Sequence, residues 1–349
     1  MNATSEKLRV LFVIPGESEG SSMVFARRQA NALAGMDVSV ECFHLRSRTS
    51  PRVLMEEAAR FGRCLRRFRP ALVHAHFGTV TAAFTMIAAG RTPVVITFRG
   101  SDLNRVPTAD GLRACLGRML SQWAALGAAR LVCVSHDLRK RLWWRHAVTT
   151  VLPSGVDIDL FRPLARGLAR RQLGWPPSEP VILFNAGHDA LNKRLDLAQA
   201  AFSEARREIP GLRLEVLTGG LPPDRMPLVM NAANCLLVTS DAEGSPTVVQ
   251  EALACNLPIV SVAVGDVAER LRGVAGTRIA GRYPHELARA LVETVLRDEP
   301  SEGRLRCVEF SSDTIAAELA RLYREIVTQR QAQKRSSWNT TLFSQRSRP

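Results

Sequence analysis

The chain has 349 residues, a formal net charge of +14 and seven cysteines, a length that suits two domains, each large enough to bury its own core. Cys42, Cys64, Cys115, Cys133, Cys235, Cys255 and Cys307 are scattered, with no CxxC pair and no secretory leader, which argues against a disulfide scaffold and for a cytoplasmic protein with reduced thiols. No uncharged apolar run of about 18 residues occurs, so no membrane-spanning helix is expected.

Hydrophobic periodicity, taken along the chain, predicts a strand at 8–14 ending at Pro15-Gly16, a helix over 21–35 and a strand at 37–43. A helix over 52–68, a strand at 71–75, a helix over 79–89 and a strand at 93–98 follow. The first half closes with a helix from about 108 to 127, a strand at 130–134, a helix over 136–144 and a strand at 148–152. Prolines and glycines break the stretch from Pro153 to Pro177, which reads as a linker. The alternation then restarts at 180–185 and runs through 192–207, 212–217, 226–232, 235–239, 246–254, 257–261 and 284–297. Ile315, Leu319, Leu322 and Ile326 share one face of a last helix near 312–328, and the residues after Gln329 turn polar and basic. Strand and helix in strict alternation give two parallel sheets with helices on both faces.

The charge is uneven. Residues 1–165 hold 23 Lys and Arg against 12 Asp and Glu, whereas 166–329 hold 19 against 21. No helix-turn-helix, zinc-finger or aromatic RNA-binding strand accompanies the basic half, so nucleic acid is not the expected partner. An anionic membrane surface or a polyprenyl phosphate acceptor accounts for the asymmetry better. Two segments are candidates for membrane contact: Arg60, Arg63, Arg66, Arg67 and Arg69 beside Phe61, Leu65 and Phe68, and Arg139, Lys140, Arg141 and Arg145 beside Trp143 and Trp144. A helix packed on the sheet with a solvated arginine face, and a pair of core tryptophans, are the plain alternatives.

The densest chemistry lies in Glu243-Gly-Ser-Pro-Thr-Val-Val-Gln-Glu251. Two carboxylates stand eight residues apart, the first after an apolar strand and the second one turn into a helix. Ser245, Thr247 and Val248 place free backbone amides at that helix start, where an anion is stabilised, and ligands in open α/β sheets bind at such strand ends. Gly16 opens a loop reading Gly-Glu-Ser-Glu-Gly-Ser-Ser, which is not the dinucleotide fingerprint and argues against a nicotinamide-dependent oxidoreductase.

The Glu243 to Glu251 segment, followed by Ala-Leu-Ala-Cys and a second buried strand, resembles the EX7E signature of glycosyltransferase family 4, retaining enzymes on a GT-B fold. Val73-His74-Ala75-His76-Phe77, Thr97-Phe98-Arg99-Gly100-Ser101-Asp102, Val134-Ser135 and Leu152-Pro153-Ser154-Gly155-Val156-Asp157 with Phe161-Arg162-Pro163 are similar to further segments of that family, and the likeness covers most of residues 8–328. The resemblance implies two Rossmann-like, doubly wound domains facing a cleft: 1–165 binds the acceptor, 166–311 binds the nucleotide sugar, 312–329 is a helix crossing back to the first domain, and 330–349 is a disordered basic tail. It implies that Glu251 holds the nucleotide ribose, that Glu243 faces the donor sugar, that Lys193 binds the diphosphate with the Gly16 loop close to it, and that the acceptor binds near Gly16, His76 and Arg99. The chain departs from the family at Arg99, where a histidine is usual, and at Gly187-His188, where Gly-Arg is usual; Arg194 or a protonated His188 would then supply the second cation.

The reaction so implied transfers a sugar from a nucleotide-diphosphate sugar to a glycan or polyprenyl-linked acceptor with retention, in polysaccharide or glycolipid assembly at the inner face of the cell membrane. A cationic clamp and helix amides stabilise the leaving diphosphate directly, so neither a cofactor nor a metal is expected. His74 and His76 alternate at a strand end without an evident third ligand, and structural or acceptor-side roles suit them better than a metal. Three other classes stay open: a GT-B nucleotide-sugar epimerase, a catalytically weak sugar-nucleotide-binding scaffold, and nucleic-acid binding motivated by charge alone.

Overall fold

The computed structural model describes residues 7–17, 23–47, 49–106 and 111–346, with side chains through residue 333. Its first part comprises β1 (Leu8–Pro15), α1 (Val24–Ala34), β2 (Val38–Leu45), α2 (Pro51–Phe68), β3 (Leu72–His76), α3 (Thr79–Ala88), β4 (Val94–Phe98), α4 (Leu112–Gly127), β5 (Arg130–Cys133), α5 (His136–Lys140) and β6 (Thr149–Val151). The second comprises α6 (Arg166–Leu173), β7 (Val181–Asn185), α7 (Leu195–Glu208), β8 (Arg213–Leu217), α8 (Met226–Ala232), β9 (Cys235–Val238), α9 (Thr247–Ala254), β10 (Ile259–Val262), α10 (Val267–Leu271), β11 (Thr277–Ala280), α11 (Pro284–Arg297), α12 (Gly303–Cys307) and α13 (Ser312–Arg346). The six-stranded sheet runs β2-β1-β3-β4-β5-β6, the five-stranded sheet runs β11-β10-β9-β7-β8, and the paired strands are parallel.

Period-two side-chain alternation in β1 explains why the first sheet is covered on both faces. Leu11 and Val13 join Phe43, Phe61, Phe84 and Phe98 on one side, where α2 and α3 lie. Val10, Phe12 and Ile14 point to the other side, where α1 and α13 pack. Ile315, Leu319, Leu322 and Ile326 form the buried face of α13, as the sequence predicts, with Tyr323 fully buried among them. The C-terminal helix thus returns to the first sheet. The chain leaves that domain and re-enters it at one place, because Val156 bridges Ser311 and exchanges backbone bonds with Phe310 and Ser312. A Cβ on Gly155 would lie 2.7 Å from Ser312 Cα, so only glycine lets the two crossings touch.

Several elements differ from the expectation. The helix α6 occupies part of the expected linker, since Arg170 reaches the carbonyls of Ala232 and Pro177 and the Asn234 side chain and so fastens eight residues that carry little apolar periodicity. The short elements α10, β11 and α12 were not expected, and α5 stops at Lys140. α13 runs to Arg346 instead of ending near 328 before a disordered tail; no Gly or Pro occurs between Gln329 and Arg346 to stop it. Part of the expected helix starts at 21 and 108, and most of the loop after Gly16, lie outside the described residues.

Candidate functional site

The carboxyl ends of both sheets face each other, and the candidate residues lie at those ends, on strand termini, loops or helix starts. β9 stops at Val238, and the loop that follows carries Glu243, Gly244 and Ser245 before α9 begins at Thr247. Pro246 at the N-cap has no side-chain acceptor for the first amides, which leaves them directed outward. Glu251 lies one turn in and is nearly buried. Arg28, from α1 in the other domain, donates to Glu251 Oε1 at 3.0 Å. Burial pushes the Glu251 carboxyl up to about 6, against the opposing pull of Arg28. The two side chains line a cavity of about 300 Å³ between the domains, together with Phe25, Gly187, His188 and Thr247. A cavity of this size, largely apolar with a few convergent polar groups, is the expected form of a small-molecule site.

Lys193 and Glu243 lie on the loops that follow the adjacent strands β7 and β9, and meet directly, with Nζ 2.5 Å from Oε1. Asn192 reinforces the contact by donating to the Ala242 carbonyl at 3.0 Å. Arg194, offered beside His188 as the second cation, is engaged by carboxylates in this structure: its guanidinium clasps Asp196 and reaches Asp241 at 3.3 Å, and neither it nor Lys193 is among the residues lining the cavity. Those carboxylates hold its pKa above the ordinary arginine value. His188 does line the cavity, its ring packed on Gly219, where a Cβ would approach Cε1 to 2.6 Å. Ser245 faces away, accepting from Gln250 and Arg270 at 3.1 Å each, and the Val248 side chain enters the core, so at both positions it is the backbone amide that remains for a ligand.

On the first domain, the side chain of Arg99 projects from the end of β4 and is fixed on three sides. It donates to Ser154 Oγ at 2.8 Å and to His76 Nδ1 at 2.9 Å, and stacks over Phe25 with its carbon 4.0 Å from the ring centre. Burial lowers its pKa, with Asp102 acting in the opposite direction, and a guanidinium stays cationic throughout. The assignment of His76 to the acceptor surface needs correction, because the ring is fully buried beneath Arg99. Its Nδ1 accepts from Arg99, so the ring proton sits on Nε2, which has no partner among the described residues. His74 is occupied on both nitrogens, 2.5 Å from Tyr323 Oη and 2.6 Å from Thr97 Oγ1. Desolvation and the neighbouring Arg99 keep both rings well below the ordinary histidine pKa, so they are neutral. Gly16 follows β1 with φ +99°, and among the described residues nothing lies within 4 Å of where its Cβ would stand.

Three site residues escaped the sequence. Arg28 gave no signal because its role depends on the cleft closing over it. Asp102 accepts the amides of Gly78, Arg99 and Gly100 and so ties two loops together; its place in the Arg99-Gly-Ser-Asp102 segment was the available cue. Asn104 donates to the Glu243 carbonyl at 2.9 Å across the cleft. Asp157 and Asp159 are spaced as Asp-x-Asp, a pattern the expectation of no metal overlooked, but Asp157 Oδ1 takes the amides of Asp159 and Leu160 and closes a turn.

The backbones themselves meet at Gly244. A Cβ there would lie 1.9 Å from the Arg99 carbonyl oxygen, so the cleft is shut against that glycine.

Comparison with known proteins agrees with this layout. The family model described as Glycosyltransferase Family 4 matches residues 21–160, and the one described as Glycosyl transferases group 1 matches residues 196–297. TuaC, a glycosyltransferase assigned to teichuronic acid biosynthesis in Bacillus subtilis, is 26% identical over 253 residues, covering 66% of this chain and 61% of that protein. The chain spans about half the length of the curated relatives it matches. Among solved structures, sucrose-phosphate synthase of Thermosynechococcus elongatus superposes with a TM-score of 0.78 at 18% identity, over 92% of this chain and 99% of that one. HepE of Anabaena, crystallised with UDP and glucose, gives 0.63 at 18% identity, over 95% and 100%. At such identities the structural likeness speaks for the GT-B fold. The paired domain matches, with the curated relatives, show that the chain belongs to glycosyltransferase family 4.

Proposed function

We propose that the chain is a retaining glycosyltransferase that moves a sugar from a nucleotide-diphosphate sugar to a glycan or polyprenyl-linked acceptor, in polysaccharide or glycolipid assembly at the cytoplasmic face of the membrane. The observation that carries this reading is the cavity at the start of α9, where Glu251 and Arg28 from opposite domains converge. Glu251 accepts the ribose hydroxyls. The incoming ribose replaces Arg28 on that carboxylate and releases the guanidinium toward the diphosphate, so Arg28 provides the charge that Arg194 does not. The amides of Ser245 to Val248 add the partial positive charge of a helix start.

Transfer makes the anomeric carbon oxocarbenium-like while negative charge grows on the leaving diphosphate. Cations and oriented amides that stabilise this charge lower the barrier without a metal. Lys193 leaves Glu243 for the phosphate as the donor binds, and Glu243 is then free to face the sugar. Arg99 and His76 shape the acceptor side: the neutral His76 ring fixes the guanidinium, which presents donors to acceptor oxygens. The shut contact at Gly244 marks the closed state, in which water is excluded and donor hydrolysis suppressed.

HepE was crystallised with UDP and glucose, which makes UDP-glucose the first donor to test. Labelled UDP-glucose, GDP-mannose and ADP-glucose would be incubated in EDTA with a polyprenyl-phosphate sugar acceptor. The reading predicts a product with the donor's anomeric configuration, undiminished by the chelator. Free sugar or an epimerised nucleotide sugar as the main product would replace it with a hydrolase or an epimerase. A scaffold reading is favoured by one observation, namely that Lys193 and Arg194 are both engaged by protein carboxylates; nucleotide binding without turnover of any donor would establish it.

A further inference from the structure

We propose that the outward face of α4, together with Trp143, docks on the surface of an anionic lipid bilayer. Leu112, Leu116, Met119, Trp123 and Leu126 recur in steps of three and four residues, which puts them in one stripe along the helix. Each is between 49% and 79% exposed. The opposite face of α4 secures it to the domain through buried Ser121, Gln122, Ala124 and Ala125. Gln122 also holds Trp143 beside the stripe: its side chain accepts the Trp143 amide at 3.1 Å and donates to the Arg141 carbonyl at 2.9 Å, while its own carbonyl takes Trp144 Nε1 at 2.9 Å. Trp143 is consequently 63% exposed on a fixed turn. A contiguous apolar strip of this extent, rimmed by polar groups, marks an interaction surface.

The surrounding charges select the occupant. Residues 111–136 contain no carboxylate, whereas Arg113 and Arg118 lie on α4 and Arg139, Lys140, Arg141 and Arg145 lie around Trp143. Asp137 is taken by Arg141 at 3.3 Å. A second copy docked through the same face would set these cations against one another. Anionic headgroups complement them instead, with tryptophan at headgroup depth and the aliphatic side chains just below. α2, one of the two segments the sequence suggested for this contact, is built differently: Phe61 and Glu57 are fully buried, Arg60 binds Glu57 and Arg67 binds Glu41.

The surface belongs to the same rigid unit as the cleft wall. Ser121 Oγ accepts the Thr79 amide at 2.7 Å, and Asp102 links the neighbouring Gly78 amide to Arg99. A lipid-linked acceptor held at the bilayer would therefore meet the Arg99 side of the cleft; this placement rests on the proposed transferase activity, whereas the docking does not.

The test is co-sedimentation of the full chain with phosphatidylcholine vesicles made with and without phosphatidylglycerol. Wild type is expected to pellet with the anionic vesicles and to be released by salt. Leu116→Ser combined with Trp123→Ser, and separately Arg113→Glu combined with Lys140→Glu, are each expected to weaken binding about tenfold or more. Leu296→Ser with Leu305→Ser, exposed apolar positions on the other domain, serves as the control and is expected to bind as wild type, with all variants unfolding at the wild-type temperature. Absence of wild-type binding, or binding that survives both α4 and charge variants, overturns the proposal. A wild-type dimer that the Leu116 and Trp123 variant converts to monomer does so too, making the stripe a self-association face.

Discussion

Glu251 sets the pH behaviour expected of the cleft. Its free-state value of about 6 lies above the ordinary carboxylate range because burial outweighs Arg28. A ribose that donates to the ionised form binds best above that pH and is lost as pH falls through it. Calorimetric titration of the cognate nucleoside diphosphate is expected to show affinity falling below about pH 6, and Glu251→Gln is expected to remove that dependence along with most of the binding. Arg28→Gln should weaken the diphosphate by about 10- to 100-fold, the loss typical of a charge-assisted contact, while leaving binding of the nucleoside alone nearly unchanged; equal loss for both ligands would show that Arg28 merely supports the fold. At this scale the sequence revealed the acids and Lys193, but not the partners that reach them across the cleft. Glu243 and Glu251 were found because their spacing is local to one strand-loop-helix unit. Arg28 and Asn104 were not, because each acts across a gap that only the tertiary structure closes.

Elements were legible in proportion to the length and periodicity of their apolar patterns. β1 and the buried face of α13 were read correctly because several core positions recur in each. β11 and α10, four and five residues long, bury too little to stand out from the loops around them. α6 lay hidden because its anchor is the buried Arg170, and its charge reads as solvent-facing. The return of α13 to the first sheet has its own test. Tyr323 on α13 meets His74 on β3 in a fully buried pair. Tyr323→Phe leaves a histidine nitrogen without its partner and is expected to cost about 1–3 kcal/mol in denaturant unfolding of the first domain, with the second domain's transition unmoved. A shift in both transitions, or in neither, would mean that the helix does not act as a clamp specific to the first domain.

At the scale of the molecule, the two domains communicate through crossings that allow no extra atoms. The hinge pairs Val156 with Ser311, and the far side of the cleft closes on Gly244. Gly244→Ala places a methyl group against the Arg99 carbonyl and is expected to hold the domains apart. Small-angle X-ray scattering should then report a larger radius of gyration, with transfer reduced by about tenfold or more and each domain still folded. An unchanged radius with full activity would show that the closed contact is not part of the working cycle.

The cavity between Arg28 and Glu251 is proposed to receive a nucleoside diphosphate. The most direct test is calorimetric titration of UDP, GDP and ADP into the wild-type chain in EDTA, repeated with Glu251→Ala and Arg28→Ala. One nucleotide is expected to bind well ahead of the other two, and both substitutions are expected to abolish or sharply weaken its binding. Failure of all three to bind, or binding indifferent to both substitutions, would contradict this assignment.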